Sequence, residues 1–555
     1  MKKLVLSLVI LAGFALQAFA YDFQSGELLY TIISTDLPKV SLNGHVDGTE
    51  AQGDIIIPET VIFEDVTYKV SAIEQFAFYH CVGITSLIIG QSVETIGRQC
   101  FEGCTGLTGN LIIPNSVIQI EDCAFYDCTS LNGKLVLSEN LTDIKTSVFR
   151  NCGFTGNLVI PEGIRKIGSS AFWGCNFTGD LVIPNSVITI NDLAFHNCSS
   201  FDGQLLIGSS VTTIGASAFS GCSGLTGDLV IPNSVVFVYT AAFSGCSGLT
   251  GNLTLSLNLR EIGRCAFQDC SSLSGDLIIP NGVNEIGWLA FKNCIGLDGR
   301  LEIPNTIWKI ESGTFQSCSF SSLLLGDYIT EIHNWAFKDL STLNTITIKA
   351  KTPPSFIETD VYGAFENVPN NIPLFVPCGT LEAYQTADGW SEFTNIHEGV
   401  TDALTVHSSD ETAGTVYLLK EATCEDRTVE VLAESNEGWK FLYWEANGES
   451  VSSENPYSFV LEEDTELVAY FSGTGVDEKE QMLVVFPNPT TGVVNIIGKN
   501  SKTAEVYNGL GQHLASASGE DEQITIDLDD LPVGIYFVNI FEKDGRKCVR
   551  KIVKE

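Results

Sequence analysis

The chain reads as a mainly β protein: a repeat solenoid of about 12–13 coils, each a short parallel strand plus a tight helical turn, followed by small β domains. Three observations predict this. The dipeptide Ala-Phe with Cys three residues later recurs, as at Ala77-Phe78 with Cys81 and Ala290-Phe291 with Cys294. Counting the Phe alone gives thirteen copies from Phe78 to Phe365, spaced 23 or 24 apart up to Phe315 and then 22 and 28. A short apolar strand ending in Pro returns at the same period, as in Leu111-Ile112-Ile113-Pro114 and Leu229-Val230-Ile231-Pro232. A unit of that length cannot bury its apolar face alone, so neighbours must stack on it.

The chain opens with Met1-Lys2-Lys3, an apolar run from Leu4 to Leu16, and Ala18-Phe19-Ala20. That pattern predicts a signal peptide over 1–20 and a mature chain from Tyr21. No later apolar stretch approaches membrane-spanning length, so no membrane span is expected in the mature chain. Residues 21–54 alternate weakly, as in Leu28 to Ile33, and are expected to cap the first coil with β strands.

Repeats occupy 55–348. In the unit 109–128, Leu111 to Ile113 is a strand, Pro114-Asn115-Ser116 a turn, Val117 to Ile120 a second extended piece, and Asp122 to Cys128 the tight turn. Proline ends strand pairing at the same point of each coil. Glycines 109, 156, 179, 227, 251 and 275 are expected to make the turn into the strand. Eleven of the 17 Cys occupy one repeat position. Stacked coils lie ~4.8 Å apart, whereas a disulfide needs Cβ atoms ~3.8 Å apart, so this column reads as packed thiols. The redox states of Cys100, Cys123, Cys265, Cys378, Cys424 and Cys548 do not follow from spacing.

These units resemble the BspA-like leucine-rich repeat family, whose repeats carry a Leu-x-Ile-Pro strand, a Val-x-x-Ile-Gly segment and an Ala-Phe-x-x-Cys turn. The resemblance implies a leucine-rich-repeat solenoid displayed for adhesion or protein binding. Departures are modest: Leu137 and Leu255 are followed by Ser, Ile207 by Gly, and Phe337 by Asp339-Leu340 where Cys is expected.

Residues 349–400 break the period at Thr352-Pro353-Pro354 and read as a C-terminal cap, with a strand at Leu374 to Val376 and a helix within Thr380 to Phe393. A cap closes an exposed sheet edge. Residues 401–472 alternate as strands, and Gly438 to Trp444 with Thr465 to Phe471 resembles an internalin B-repeat-like module. Residues 473–483 are a polar, acidic linker. Residues 484–555 carry Phe486-Pro487-Asn488-Pro489 with Gly492, then Gly534-Ile535-Tyr536, and end Lys551-Ile552-Val553-Lys554. This set resembles the type IX secretion C-terminal sorting domain, with Pro487, Asn488, Pro489, Gly492, Gly534, Tyr536, Lys551 and Lys554 as its signal residues. It implies handling by the type IX secretion machinery of a Bacteroidota-type bacterium and a secreted or outer cell-surface location.

Thirty Lys and Arg against 68 Asp and Glu give a net charge of -38, which repels nucleic acid and anionic membranes. Seven His show no zinc-ligand spacing, and no Gly-x-Ser-x-Gly elbow occurs. Gly221-Cys222-Ser223-Gly224 has a twin at 245–248 and belongs to the repeat. Paired carboxylates leave no local motif, but they need a walled cleft to tune one pKa. No catalytic residue, metal or cofactor is expected.

Binding is therefore sought on the surface. In each Leu-x-Ile strand the middle residue points outward, giving Ile112, Val136, Val159, Val182, Leu206, Val230, Thr254, Ile278, Glu302 and Leu324. The apolar members of this column form a candidate strip for a protein or glycan ligand on a host or microbial surface. The alternative is plain β propensity. Trp173, Phe237, Tyr239, Trp288, Trp308 and Trp335 interrupt otherwise polar columns, and the three Trp between 288 and 335 form a second candidate surface. Adhesion or recognition is the functional expectation; the alternatives are a glycan-capturing or glycan-degrading protein and a self-associating surface component.

Overall fold

A computed structural model of the chain describes residues 21–357, 363–473, 484–488, 490–498, 501–508, 512–519, 523–542 and 547–554. The expected signal peptide, most of the 473–483 linker and Pro489 lie outside them. The described chain divides into two compact units, one of residues up to Leu374 with Glu382–Ile396, the other Phe375–Leu381 with His397 onward.

The first unit is a parallel β solenoid. It begins with antiparallel strands Phe23–Ser25, Leu28–Ser34 and Lys39–His45, the last of which pairs in parallel with Val66–Ile73. Most later coils contribute two short strands, one at the Leu-x-Ile segment and one some eight residues on; the Leu158-Val159-Ile160 coil forms only the second, Lys166–Ile167. Thirteen Phe rings fill the coil interiors as one unbroken stack from Phe78 to Phe365, with successive centroids 4.9–5.8 Å apart and planes within 19°. Offset stacking of buried rings adds to the burial that holds coil on coil.

The turn carrying each Phe is a run of i→i−3 hydrogen bonds, as Ala124 N–H to Glu121 O and Tyr126 N–H to Cys123 O. Between these, every second N–H reaches the next coil, as Cys123 to Thr146 O, Phe125 to Val148 O and Asp127 to Arg150 O. This alternation requires left-handed backbone two residues before and after the Phe, with φ of 59° at both Cys123 and Asp127. Asn and Asp tolerate that region, which accounts for Asp127, Asn151, Asp269 and Asn293 at the second site.

The thiol column does more than pack. From Cys104 to Cys318 each Sγ–H donates to the carbonyl of the Phe one coil earlier at 3.0–3.1 Å, and Cys81 donates to Gly48 O at 3.2 Å. All eleven are buried and free. Burial pushes Cys198 and Cys246 up to about 12. Cys378 and Cys424 form a disulfide within the second unit, with Cα atoms 5.3 Å apart, while Cys100, Cys123, Cys265 and Cys548 are free.

After the repeats, the buried Tyr384 on helix Leu381–Thr386 donates its hydroxyl to Ala350 O at 2.6 Å, and Trp390 Nε1–H donates to Pro354 O at 2.8 Å. In the second unit, sheets containing Thr428–Ser435 and Thr465–Gly473 enclose Val429, Val431, Trp444 and Leu467. A further pair of sheets, containing Val493–Ile497 and Gly534–Glu542, encloses Val494, Ile526, Val538 and Ile552.

Candidate binding surface

The Leu-x-Ile strands turn Leu and Ile inward and leave the middle residue outside. Leu181 is fully buried, whereas Val182 is 45%, Val159 67% and Ile112 58% exposed. Val136, Leu206, Val230 and Ile278 are likewise exposed, as are Ile56 and Ile88 in the first coils. Glu302 and Leu324 are half-buried. Registered pairs such as Val182 beside Leu206 and Val230 beside Thr254 place these side chains in one column.

This face has a longer period than the sequence reading recognised. Strand Leu111–Ile112 pairs with Leu135–Val136, Leu181–Val182 with Leu205–Leu206, and Leu229–Val230 with Leu253–Thr254. No strand pairing joins one pair to the next until Leu277–Ile278 begins a longer run. Apart from the coil of Leu158-Val159-Ile160, which forms no such strand and stands between the first two pairs, these coils are thus doublets, and side chains of the first coil hold the second. Asn110, Asp180, Asp228 and Asp276 accept the N–H of Lys134, Gln204, Asn252 and Arg300 through Oδ1 at 2.7–2.8 Å. Asn115, Asn185 and Asn233 do the same for Glu139, Ser209 and Leu257 at 2.8–3.0 Å.

Glycine follows the doublet. Gly109, Gly179, Gly227 and Gly275 open first coils with φ of 77–81°. Gly133, Gly203, Gly251 and Gly299 open second coils without positive φ; there a Cβ would strike the Oδ1 of the pinning Asn or Asp. Gly251 therefore serves clearance, not the left-handed turn expected of it. The signal was present in sequence as Asp180, Asp228 and Asp276 separated by Gln204 and Asn252, but Asn157 interrupts it and a 24-residue window hides it.

At seams between doublets the surface opens. A cleft of about 260 Å³ is lined by Gln204, Leu205, Leu206, Ile207, Asp228 and Val230. Another, of about 510 Å³, lies by Val136, Glu139, Asn157 and Val159. Both contain members of the exposed apolar column.

The aromatic candidates are not gathered into one column. Trp288 is 42% exposed with the Arg264 guanidinium 3.6 Å from its ring centre. Trp308, 48% exposed, has Lys309 Nζ at 5.1 Å, and the half-buried Trp335 has Lys338 Nζ at 5.7 Å. Arg150 lies 3.9 Å over Trp173. Each such ring face has a cation from its own or the adjacent coil, a local stabilisation. Phe237 and Tyr239 stand side by side on the opposite strand, where Glu261 and Glu285 are in register; burial, then Glu285, raises the pKa of Glu261. Among the described residues no three His, Cys, Asp or Glu converge as metal ligands, and no helix is long and apolar enough to cross a membrane.

In the terminal domain the structure brings Asn488, Lys551 and Lys554 together. Asn488 Nδ2–H donates to Lys551 O at 2.9 Å and its Oδ1 accepts Val553 N–H at 2.7 Å. The buried Lys554 ammonium donates to the carbonyls of Leu528, Asp529 and Leu531 at 2.6–2.9 Å. Gly492 N–H donates to Thr490 Oγ1 at 3.1 Å, and Tyr536 donates its hydroxyl to Pro532 O. Gly534 opens strand Gly534–Glu542, and Pro487 is half-buried.

Three family descriptions match the chain. "BspA type Leucine rich repeat region" matches six copies over 71–202, 203–299 and 275–371, together more than half of the 555 residues. "Divergent InlB B-repeat domain" matches 404–475, and "Secretion system C-terminal sorting domain" matches 484–555. No curated protein matches the chain. Similar solved structures include a leucine-rich repeat protein from Bacteroides ovatus, 22% identical, covering 68% of this chain and 100% of its own, TM-score 0.43. A leucine-rich cell surface protein from Faecalibacterium prausnitzii is 20% identical, covering 68% of this chain and 94% of its own, TM-score 0.38. The T. pallidum leucine-rich repeat protein is 23% identical, covering 37% of this chain and 90% of its own, TM-score 0.30. The chain belongs to the BspA type leucine-rich repeat family, and its type IX C-terminal sorting domain marks it as a bacterial protein exported to the cell surface or secreted.

Proposed function

We propose that the protein is a non-enzymatic adhesion or recognition scaffold, which binds a protein or glycan of a host or microbial surface through the outward column of its Leu-x-Ile strands. In this reading residues 1–20 direct export, 55–348 display the ligand-binding face between caps at 21–54 and 349–400, and 484–555 is the sorting signal. The observation that carries it is an apolar column 45–67% exposed from Ile112 to Ile278, on a face where water favours polar side chains. The Trp at 288, 308 and 335 form the secondary surface. Binding of the full chain to immobilised matrix proteins and polysaccharides tests the reading. The double change Val159→Lys and Val230→Lys is expected to abolish retention on whichever ligand the native chain holds. Unchanged retention by a folded double variant overturns it. Loss of binding only when Trp288, Trp308 and Trp335 are all replaced by Ala would move the site to the secondary surface.

A further inference from the structure

We infer that the face between Asp180 and Ile278 docks a basic protein segment in the polyproline II conformation with Lys or Arg at every third residue. The inference rests on the reading of the apolar column as the binding surface and gives its occupant a chemistry. Asp180, Asp228 and Asp276 each stand two residues before an exposed apolar member of the column, Val182, Val230 and Ile278. In a strand, residues i and i+2 share a face, so carboxylate and apolar side chain point the same way.

The doublet makes this arrangement regular. Each of the three Asp is the pinning residue of a first coil, with Oδ1 held by the second coil's N–H. The carboxylates therefore recur every second coil, ~9.6 Å apart at ~4.8 Å per coil. A polyproline II segment has about three residues per turn and rises ~3.1 Å per residue, so every third side chain lies on one face, ~9.3 Å apart; in a β-extended segment alternate members of that series would point away. A single-coil repeat would present ~4.8 Å spacing, which matches no extended period.

Charge complementarity selects the sign. From Asp180 to Asp298, counted over every face of these coils, the chain carries nine Asp and Glu against three Lys and Arg, of which Asp180, Asp228 and Asp276 lie on this face. One of the three, Arg264, is laid over Trp288. Asp202 and Asp298 add exposed carboxylates beside the first-coil glycines, each accepting an N–H from Gly179 or Gly275. The seam cleft joins both parts of the chemistry, since Leu206 and Val230 line it together with Asp228. An Arg or Lys stem packs on such apolar walls while its head reaches the carboxylate. A second copy of this chain, with a net charge of -38, meets the same carboxylates with like charge.

Three synthetic peptides of about twelve residues test this against the full chain by fluorescence anisotropy. The first carries Lys at every third position beside Val, the second has Glu for Lys, and the third has the composition of the first with Lys at every second position and then none. The first is expected to bind at least tenfold more tightly than either other, with affinity falling as salt rises. In the chain, Asp180→Asn, Asp228→Asn and Asp276→Asn together keep the Oδ1 acceptors and remove three charges. This variant is expected to bind the first peptide at least tenfold more weakly, with an unchanged circular dichroism spectrum. Equal binding of the first and third peptides overturns the spacing, and equal binding by the triple variant overturns the carboxylate docking. Self-association of the native chain that Val159→Lys and Val230→Lys abolish would assign the face to a second copy instead. If the triple Asn variant behaves as native while the Val→Lys pair loses its surface ligand, only this inference falls; if neither variant loses anything, the proposed function falls too.

Discussion

The two strand edges of each solenoid coil are built from one repeat and behave differently. At one edge, seven strands from Asp143–Ile144 to Glu285–Ile286 pair in a single uninterrupted ladder, coil after coil. At the other edge, over the same coils, the strands pair two by two and leave seams, and Leu158-Val159-Ile160 forms no strand at all. The turn with the Phe stack and the thiol chain follows the regular edge, because every coil presents the same Phe and Cys to its neighbour. The Leu-x-Ile edge follows side-chain pins that only alternate coils supply. The interior thus has a period of one coil and the Leu-x-Ile surface largely a period of two. A core needs identical neighbours to stack; a surface is free to alternate.

The largest effect expected at the regular edge is alkaline. Burial raises the pKa of nine column thiols, Cys81, Cys104, Cys152, Cys175, Cys198, Cys222, Cys246, Cys270 and Cys294. A thiol held neutral in the folded chain binds its proton where the unfolded chain has lost it. Stability from this source is fully present below the ordinary thiol pKa and is lost as pH rises from about 9 through about 12. One unit above the ordinary pKa each thiol forfeits about 1 kcal/mol, so nine together forfeit on the order of 10 kcal/mol. Circular dichroism against pH should show the solenoid melting near pH 10 in a steep transition. A Cys→Ala series that left this transition in place would break the assignment to thiols.

Next in size, Phe219→Ala removes one ring between Phe195 and Phe243, centroids 5.5 and 5.3 Å away. Loss of a buried Phe should cost about 3–5 kcal/mol in denaturant melts. Any other mid-stack Phe should cost a similar amount, because this edge repeats every coil.

Deletions separate the two periods. Removing one coil, 227–250, sets two second coils side by side and takes away Asp228 and Asn233, which accept the N–H of Asn252 and Leu257. Removing two coils, 227–274, rejoins a second coil to a first coil and leaves every remaining pin paired. The shorter deletion is expected to be less stable than the longer one by about 2–3 kcal/mol, the cost of two unmade hydrogen bonds. Equal thermal midpoints would reduce the doublet to a geometric accident.

Much of the solenoid coil was legible in the sequence because its signals are identical or similar residues at one spacing. The Phe column, the inward Leu and Ile, and the outward middle residues all follow from that period and the strand alternation. The thiol hydrogen bond to the preceding Phe carbonyl was not legible, since it depends on how far one coil is advanced on the next. Nor was the Cys378–Cys424 bridge, which closes 46 residues across no repeat. The doublet lay partly in view as Asp180, Asp228 and Asp276 separated by Gln204 and Asn252, but Asn157 directly before Asp180 in that column breaks the alternation. Its meaning needed the backbone N–H that each Oδ1 meets. Trp288 reads in sequence as an exposed hot spot, but the Arg264 that covers one of its faces comes from the coil before, 24 residues away.

The smallest test distinguishes the members of a doublet one residue at a time. Asp180 and Gln204 occupy the same position in consecutive coils, and both are solvent-facing, so a 24-residue view gives their truncations equal weight. The doublet does not, because Asp180 Oδ1 accepts the Gln204 N–H at 2.8 Å while the Gln204 side chain pins no later coil. Asp180→Ala should therefore cost about 1 kcal/mol, in the range of a lost side-chain hydrogen bond to backbone, and Asp180→Asn should recover most of it. Gln204→Ala should stay within about 0.5 kcal/mol of the native chain, as surface changes do. Denaturant midpoints of the three variants are enough to decide. If Asp180→Ala and Gln204→Ala prove equal, the pins are incidental and the two edges share one period. If they differ in the stated order, the pairing of the Leu-x-Ile face is set by which coils carry a pinning Asn or Asp, and its spacing can be altered without touching the Phe stack beneath.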